Sequence, residues 1–128
     1  MSEIESKCKR QDELCGYWRG VKKTPEEMIV LSKAVGETYR CCKTRMKYYE
    51  RMSCVAENMK AYQDDLALVT IVDLSLENCS RVSQLIIRKE FLEISEKKWY
   101  LEFFSKTTFY RNKKKAVKEF IENLLIQK

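Results

Sequence analysis

The residues of this chain best suited to chemistry are the cations near its C-terminus, where residues 105–118 contain six Lys or Arg side chains and no acidic residue. They are Lys106, Arg111, Lys113, Lys114, Lys115 and Lys118. A dense cluster of positive charge neutralises phosphate groups, which is the chemistry of contact with nucleic acids or anionic membrane surfaces. The net charge of +6 and the isoelectric point near 9.0 agree with such partners.

Other kinds of chemistry find little support in the sequence. The chain has no His, which is the commonest zinc ligand and general base. Its six Cys do not form short metal-binding pairs, since Cys41 and Cys42 are adjacent and six residues separate Cys8 from Cys15. No glycine-rich phosphate loop or nucleophile motif is present. We therefore expect no enzymatic activity, metal or cofactor, and reduced thiols that pack as small apolar side chains.

Composition favours helices as the elements that position these cations. Only three Gly and one Pro occur in 128 residues, so long stretches lack both helix breakers. No run of 18 apolar residues is present and the N-terminus is polar, without the apolar segment of a signal peptide. These features predict an all-α, cytoplasmic protein that does not cross a membrane.

The N-terminal half predicts one long helix. Residues 1–23 are expected to form a polar arm that can contain a short helix over 5–17. Thr24 and Pro25, with Glu27 three residues after the cap, then mark a strong helix start. The helix is expected to continue to about Gln63, because Gly36 is the only breaker in between. Two rows on one side of it would form a packing seam: Met28, Val35, Cys42, Tyr49 and Ala56, and Leu31, Thr38, Arg45, Met52 and Met59. The seam fits either an intramolecular hairpin or a homodimer through residues 25–63.

The C-terminal half predicts a packing helix and then three helices in series. Asp64 and Asp65 suit a helix cap, and the apolar residues 66–74 are compatible with helix or strand; we favour helix because no second strand is available. Ser75 or Asn78 would cap a helix to about residue 92, and a short helix would follow over 96–103. Ser105 would cap the last helix, 106–126. The expected organisation is an arm (1–23), a long helix and packing helix (24–74), and a helix-turn-helix unit (75–128).

The last helix separates apolar and basic side chains. Its inward face carries Phe109, Asn112, Ala116, Phe120 and Leu124, joined by Val117 and Ile121. The helical period places a second set on the opposite side: Lys106, Tyr110, Arg111, Lys114 and Lys118. Trp99, Phe103 and Phe104, just upstream, are expected to belong to the core. The positive charge is therefore predicted to be displayed on a helix that an apolar core holds in place.

The stretch from Asn78 to Asn123 resembles the DNA-binding region 4 of bacterial sigma factors and the related helix-turn-helix regulators of phage and low-GC Gram-positive bacteria. The resemblance is carried by residues 99–111 (WYLEFFSKTTFYR), which look like the second helix, turn and recognition helix, followed by Lys113, Lys114, Lys115, Ala116 and Phe120. It implies that Ser105 caps the recognition helix and that Lys106, Thr107, Thr108, Tyr110, Arg111 and Lys114 face double-stranded DNA. Lys115 and Lys118 complete the candidate DNA-binding set by charge. The resemblance also raises RNA polymerase as a partner.

The sequence thus predicts a sequence-specific DNA-binding transcriptional regulator. If six cations engage phosphates, affinity should fall by about three orders of magnitude over a fourfold increase in salt. An alternative is a helical protein–protein interaction module in which the basic helix is only a solvated face. RNA binding is a third reading, and an exposed aromatic platform would favour it.

Overall fold

The computed structural model describes residues 24–126, which are all-α and contain no strand within that range. Its four α-helices are α1 (Pro25–Arg51), α2 (Met59–Glu77), α3 (Arg81–Ile87) and α4 (Lys106–Ile126). Three shorter elements join them: a 3-10 turn at Ala56–Asn58, a π-turn at Arg88–Leu92 that continues α3, and a 3-10 turn at Trp99–Glu102. The all-α prediction is confirmed, including helix over residues 66–74; the predicted arm 1–23 and its short helix lie outside the described residues.

Helix α1 begins as predicted but ends earlier. The Glu27 amide donates to Thr24 Oγ1 at 3.2 Å, and Pro25 occupies the first turn. The expected continuation to residue 63 is wrong, because the chain turns back at Ser53, whose φ is 52°. The Cys54 amide donates to the Tyr49 carbonyl and the Ser53 amide to that of Glu50, which is the hydrogen-bond pattern of a Schellman ending. Ser53 occupies the position where glycine is usual, so no stop signal is visible in the sequence.

Two of the predicted helix caps are also wrong. Asp64 and Asp65 lie inside α2 rather than at its start, and Asp65 is buried beneath Arg45 of α1. The Arg45 guanidinium donates to both Asp65 carboxylate oxygens, at 2.8 and 3.0 Å, so this pair joins the two helices of a hairpin. The cap of α3 is Ser80, whose Oγ accepts from the Ser83 amide, and not Ser75 or Asn78.

One hydrophobic core is shared by the hairpin and the C-terminal helices. The face of α1 that enters it is narrower than the predicted seam: Ser32, Gly36, Tyr39 and Cys42 are buried. Thr38, Arg45 and Met52 of the predicted rows are exposed, since the packing partner is a set of crossing helices and not one parallel helix. The predicted division at 74/75 falls inside α2.

Close packing of α1 on the π-turn depends on Gly36. A Cβ at this position would lie 2.1 Å from the Phe91 carbonyl oxygen. Arg40, one helical turn later, donates from Nη1 to the same oxygen. This carbonyl belongs to the π-turn, where the ordinary helical bonding pattern is interrupted, and α1 supplies its partner.

The segment before α4 differs from a regular helix-turn-helix. The short helix expected over 96–103 is instead the 3-10 turn Trp99–Glu102. Residues 93–98 read Glu-Ile-Ser-Glu-Lys-Lys and offer no apolar stripe, and Tyr100 is the one buried residue of the turn itself. A segment this short has little intrinsic helix stability without such a stripe. Phe103 was expected in the core and is 56% exposed.

Candidate nucleic-acid interface

The basic helix α4 begins at the predicted residue and is held by its apolar side. Ser105 Oγ accepts a hydrogen bond from the Thr108 amide at 3.3 Å, as a capping side chain does. Phe109, Ala116, Val117 and Phe120 are each 0–1% exposed, so these members of the predicted inward face are confirmed, whereas Asn112 and Leu124 are half-buried. The cations on the other side therefore project from a helix whose orientation the core fixes.

Aromatic rings pack against the first turn of α4, and we call the cluster of Trp99, Tyr100, Phe109 and Glu90 the brace. The Tyr100 and Phe109 rings stack at 3.9 Å between centroids with only 2° between their planes. Trp99 meets the Phe109 ring edge-on at 5.5 Å, and its indole Nε1 donates to Glu90 Oε1 at 2.7 Å. The short 3-10 turn is thus tied both to α4 and to the π-turn.

Lys113 contacts this brace and is not part of the exposed charge. Its ammonium lies 3.0 Å from Glu90 Oε2, and the two side chains are only 14% and 19% exposed. It also approaches the ring centroids of Phe91, at 5.7 Å, and Phe109, at 5.9 Å. The other five cations of residues 105–118 are exposed to solvent, where a binding partner can reach them.

The middle of α4 is fixed by a carboxylate. Glu119 accepts from the Ser80 amide at 2.6 Å and from the Ser83 hydroxyl at 2.7 Å, both at the start of α3. A carboxylate at that position accepts hydrogen bonds from donors at the helix N-terminus and interacts favourably with the helix dipole. The Glu119 carboxylate is consequently engaged with the start of α3.

All eight predicted DNA-binding side chains are exposed. They are Lys106, Thr107, Thr108, Tyr110, Arg111, Lys114, Lys115 and Lys118. Five of them line one shallow depression of about 500 Å³: Thr107, Tyr110, Arg111, Lys114 and Lys115. Lys118 lies one turn beyond Lys114, whereas Lys106 and Thr108 flank the depression at the helix start. We call these eight residues the α4 face.

A second shallow depression, of about 530 Å³, adjoins the first. Tyr110 lines both, and the second is walled by α1, the π-turn, residues 93–97 and α4. It contains cations that sequence reasoning did not single out: Lys33 and Arg40 from α1, and Lys97 from the loop. No sequence signal links them, because α1 and the loop meet only through the tertiary fold.

Comparison with protein-family models, with curated proteins and with solved structures found no match. Within residues 24–126, no helix is long and apolar enough to cross a membrane. The same residues contain no group of three or more His, Cys, Asp or Glu side chains arranged to hold a metal ion. Cys41, Cys54 and Cys79 are free thiols. Burial raises the pKa of the Cys79 thiol, which favours its protonated, less nucleophilic form.

Proposed function

We propose that the protein binds double-stranded DNA through the α4 face and acts as a transcriptional regulator. One observation carries the proposal: Arg111, Lys114 and Lys115 share an exposed depression with Thr107 and Tyr110 on a single face of an anchored helix. Lys and Arg neutralise phosphates, and hydroxyl groups of Thr and Tyr commonly hydrogen-bond to them. From Lys106 to Lys118 no carboxylate of α4 opposes this contact.

Arg111 is the residue best suited to read or hold DNA in this arrangement. Its planar guanidinium matches both a phosphate and the major-groove edge of guanine with two parallel hydrogen bonds. With Lys113 paired to Glu90, five cations remain on α4 between residues 106 and 118. We therefore expect affinity to fall by between about two and three orders of magnitude over a fourfold increase in salt.

The test is charge reversal on the α4 face. R111E/K114E should lower the affinity for a labelled duplex at least tenfold and lower the magnitude of the salt slope by about 2, because two phosphate contacts are lost. Fluorescence anisotropy over a series of salt concentrations measures both. The matched control is K47E/K60E, which changes the net charge equally at two exposed positions outside both depressions. Equal losses in the two variants would reject the proposal.

The resemblance to sigma region 4 also makes RNA polymerase a proposed partner. The α4 face would then be engaged on DNA while another surface contacts the polymerase. Co-purification of polymerase with wild-type protein, compared with R111E/K114E in the absence of DNA, separates a direct polymerase contact from one bridged by DNA.

A second candidate function is protein–protein interaction through the hairpin. Met59, Leu66 and Leu74 of α2 are 42–44% exposed and follow one side of the helix together with Thr70. Such a stripe is the kind of surface a second copy of the chain could cover, and it replaces the expected seam over residues 25–63. We expect L66E to lower the mass measured by analytical ultracentrifugation if wild type is a dimer; a monomeric wild type would reject self-association.

A further inference from the structure

We propose that bound DNA continues past Tyr110 into the second depression, where Lys33, Arg40 and Lys97 hold a further stretch of phosphate backbone. This inference rests on the proposed DNA binding of the α4 face and extends it to other elements of the fold. It assigns a contact role to Lys33 and Arg40, which lie outside both the basic run and the helix-turn-helix unit, and to Lys97, which lies outside the basic run. The proposed surface is called the α1–loop track.

Continuity between the two depressions supports the track. Tyr110, which is 46% exposed, lines both of them, so they meet along its side chain. Lys33 and Arg40 are separated by seven residues, or about two turns of α1, and lie on the side of that helix next to the π-turn. A strand that follows the α4 face can therefore pass Tyr110 and meet cations from α1 and from the loop.

The charges within the second depression leave it positive. Lys113 is paired with Glu90 at 3.0 Å, and Lys89 lies 3.8 Å from Glu93. Those two pairs cancel. Among residues 24–126 that line the depression, the remaining charged groups are three cations, on Lys33, Arg40 and Lys97, and the carboxylate of Glu96.

Arg40 is held in a fixed direction within this surface. Its Nη1 donates to the Phe91 carbonyl of the π-turn, next to the close approach of Gly36. A guanidinium carries five N–H donors, so others remain for a ligand. Preorganisation lowers the entropy lost when a side chain binds, which makes Arg40 an effective phosphate contact.

The open shape favours a polymer over a small anion. The cations come from two separate elements, α1 and the loop, and surround a shallow surface and not an enclosed cavity. A single phosphate ion would contact only part of such a surface. Successive phosphates of a DNA strand can occupy both depressions together. The proposal depends on this match between negative phosphates and the cations that line the two depressions.

The test compares two pairs of neutralised lysines by anisotropy with a labelled duplex of mixed sequence. K33Q/K97Q should lower the magnitude of the salt slope by about 2 and weaken binding, because two phosphate contacts are lost. The control K47Q/K60Q removes the same charge from exposed positions outside the track and should leave the slope unchanged. E96Q should tighten binding, since it removes a negative charge from the depression. Thermal unfolding of each variant confirms that the protein remains folded.

The outcomes separate this inference from the proposed function. If K33Q/K97Q behaves like K47Q/K60Q while R111E/K114E still weakens binding, the track is rejected and the α4 face stands. If R111E/K114E also behaves like its own control, K47E/K60E, the proposed DNA binding itself fails. Weaker binding by K33Q/K97Q together with tighter binding by E96Q supports the track.

Discussion

Gly36 shows how one residue controls the packing of two elements. A methyl group at this position would meet the Phe91 carbonyl oxygen at 2.1 Å, which no relaxed structure allows. We predict that Gly36→Ala lowers the free energy of unfolding by about 1–3 kcal/mol, because α1 must move away from the π-turn. Urea denaturation followed by circular dichroism measures the loss.

The control for this prediction is Glu37→Ala, an exposed position of the same helix. Its effect should stay within about 0.5 kcal/mol, as is usual for surface substitutions. An unchanged denaturation midpoint in Gly36→Ala would show that the backbone contact does not constrain the fold. The same shift would separate Arg40 from the Phe91 carbonyl, so the substitution also probes the wall of the second depression.

Individual cations of the basic run could be predicted only in part. Helical periodicity placed Arg111, Lys114 and Lys118 on the exposed side, and each is exposed. Lys113 could not be told from its neighbours, because its role depends on Glu90, which lies more than twenty positions earlier in the chain. The spacing of residues along a helix predicts which face each side chain occupies. It does not predict which distant carboxylate lies against that side chain.

At the scale of elements, Glu119 joins α4 to the start of α3. It accepts from the Ser80 amide and from the Ser83 hydroxyl, which also contacts the Ser80 hydroxyl at 3.0 Å. We predict that Glu119→Ala lowers the free energy of unfolding by about 0.5–2 kcal/mol, the usual cost of removing a side chain that caps a helix N-terminus. Chemical denaturation is again the measurement.

Glu122→Ala is the matched control for Glu119, since Glu122 is exposed on the same helix. Glu119→Gln should fall between the two, because an amide oxygen can still accept one of the hydrogen bonds. Identical stability of the Glu119→Ala and Glu122→Ala variants would mean that the cap contributes nothing measurable. A selective loss would show that α3 and α4 stabilise each other through this carboxylate.

Elements with strong local signals were predictable, and those set by tertiary contacts were not. The Thr24-Pro25 start of α1 and the Ser105 start of α4 follow from capping chemistry. The end of α1 at Ser53 lacks the usual glycine, so the turn into the hairpin is invisible to a search for breakers. The segment before α4 is a 3-10 turn, whereas the sequence predicted a helix there. Its aromatic residues indicated burial, but aromatic content alone does not show how many of them the core can hold.

At the scale of the whole molecule, alkaline pH should weaken the link between α1 and α2. Tyr39 is buried and donates to Asp73 Oδ1 at 2.8 Å, and its burial and this hydrogen bond raise its pKa. An unfolded tyrosine ionises near pH 10, so the unfolded state releases its proton first. We therefore predict that the contribution of Tyr39 to stability is complete below about pH 9 and is lost as pH rises above about 10.

Denaturation midpoints between pH 8 and 11.5 would measure this loss. Tyr39→Phe should make the alkaline part of the profile less steep, because phenylalanine has no proton to release. Tyr48→Phe, at an exposed position of the same helix, is the control and should retain the wild-type profile. A profile that Tyr39→Phe does not alter would assign the alkaline loss to other groups.

The helical class of the molecule was predictable from composition, but its shared core was not. Scarce Gly and Pro and the periodic apolar rows gave the all-α prediction. The sequence left the hairpin and a homodimer open, and within the described residues the hairpin covers one side of α1 with α2, α4 and the π-turn. These contacts join residues that lie far apart in the chain. For that reason no pattern in the sequence predicted the second depression.

The position of Trp99 gives the protein an internal optical reporter. Its indole lies within 6.3 Å of the Tyr100, Phe103 and Phe109 rings and is hydrogen-bonded to Glu90, the partner of Lys113. The chain has one other tryptophan, Trp18, so a Trp18→Phe variant would emit from this single place. A change at the brace that orients the basic helix would then alter the emission wavelength and quenching of Trp99, so no added label is needed.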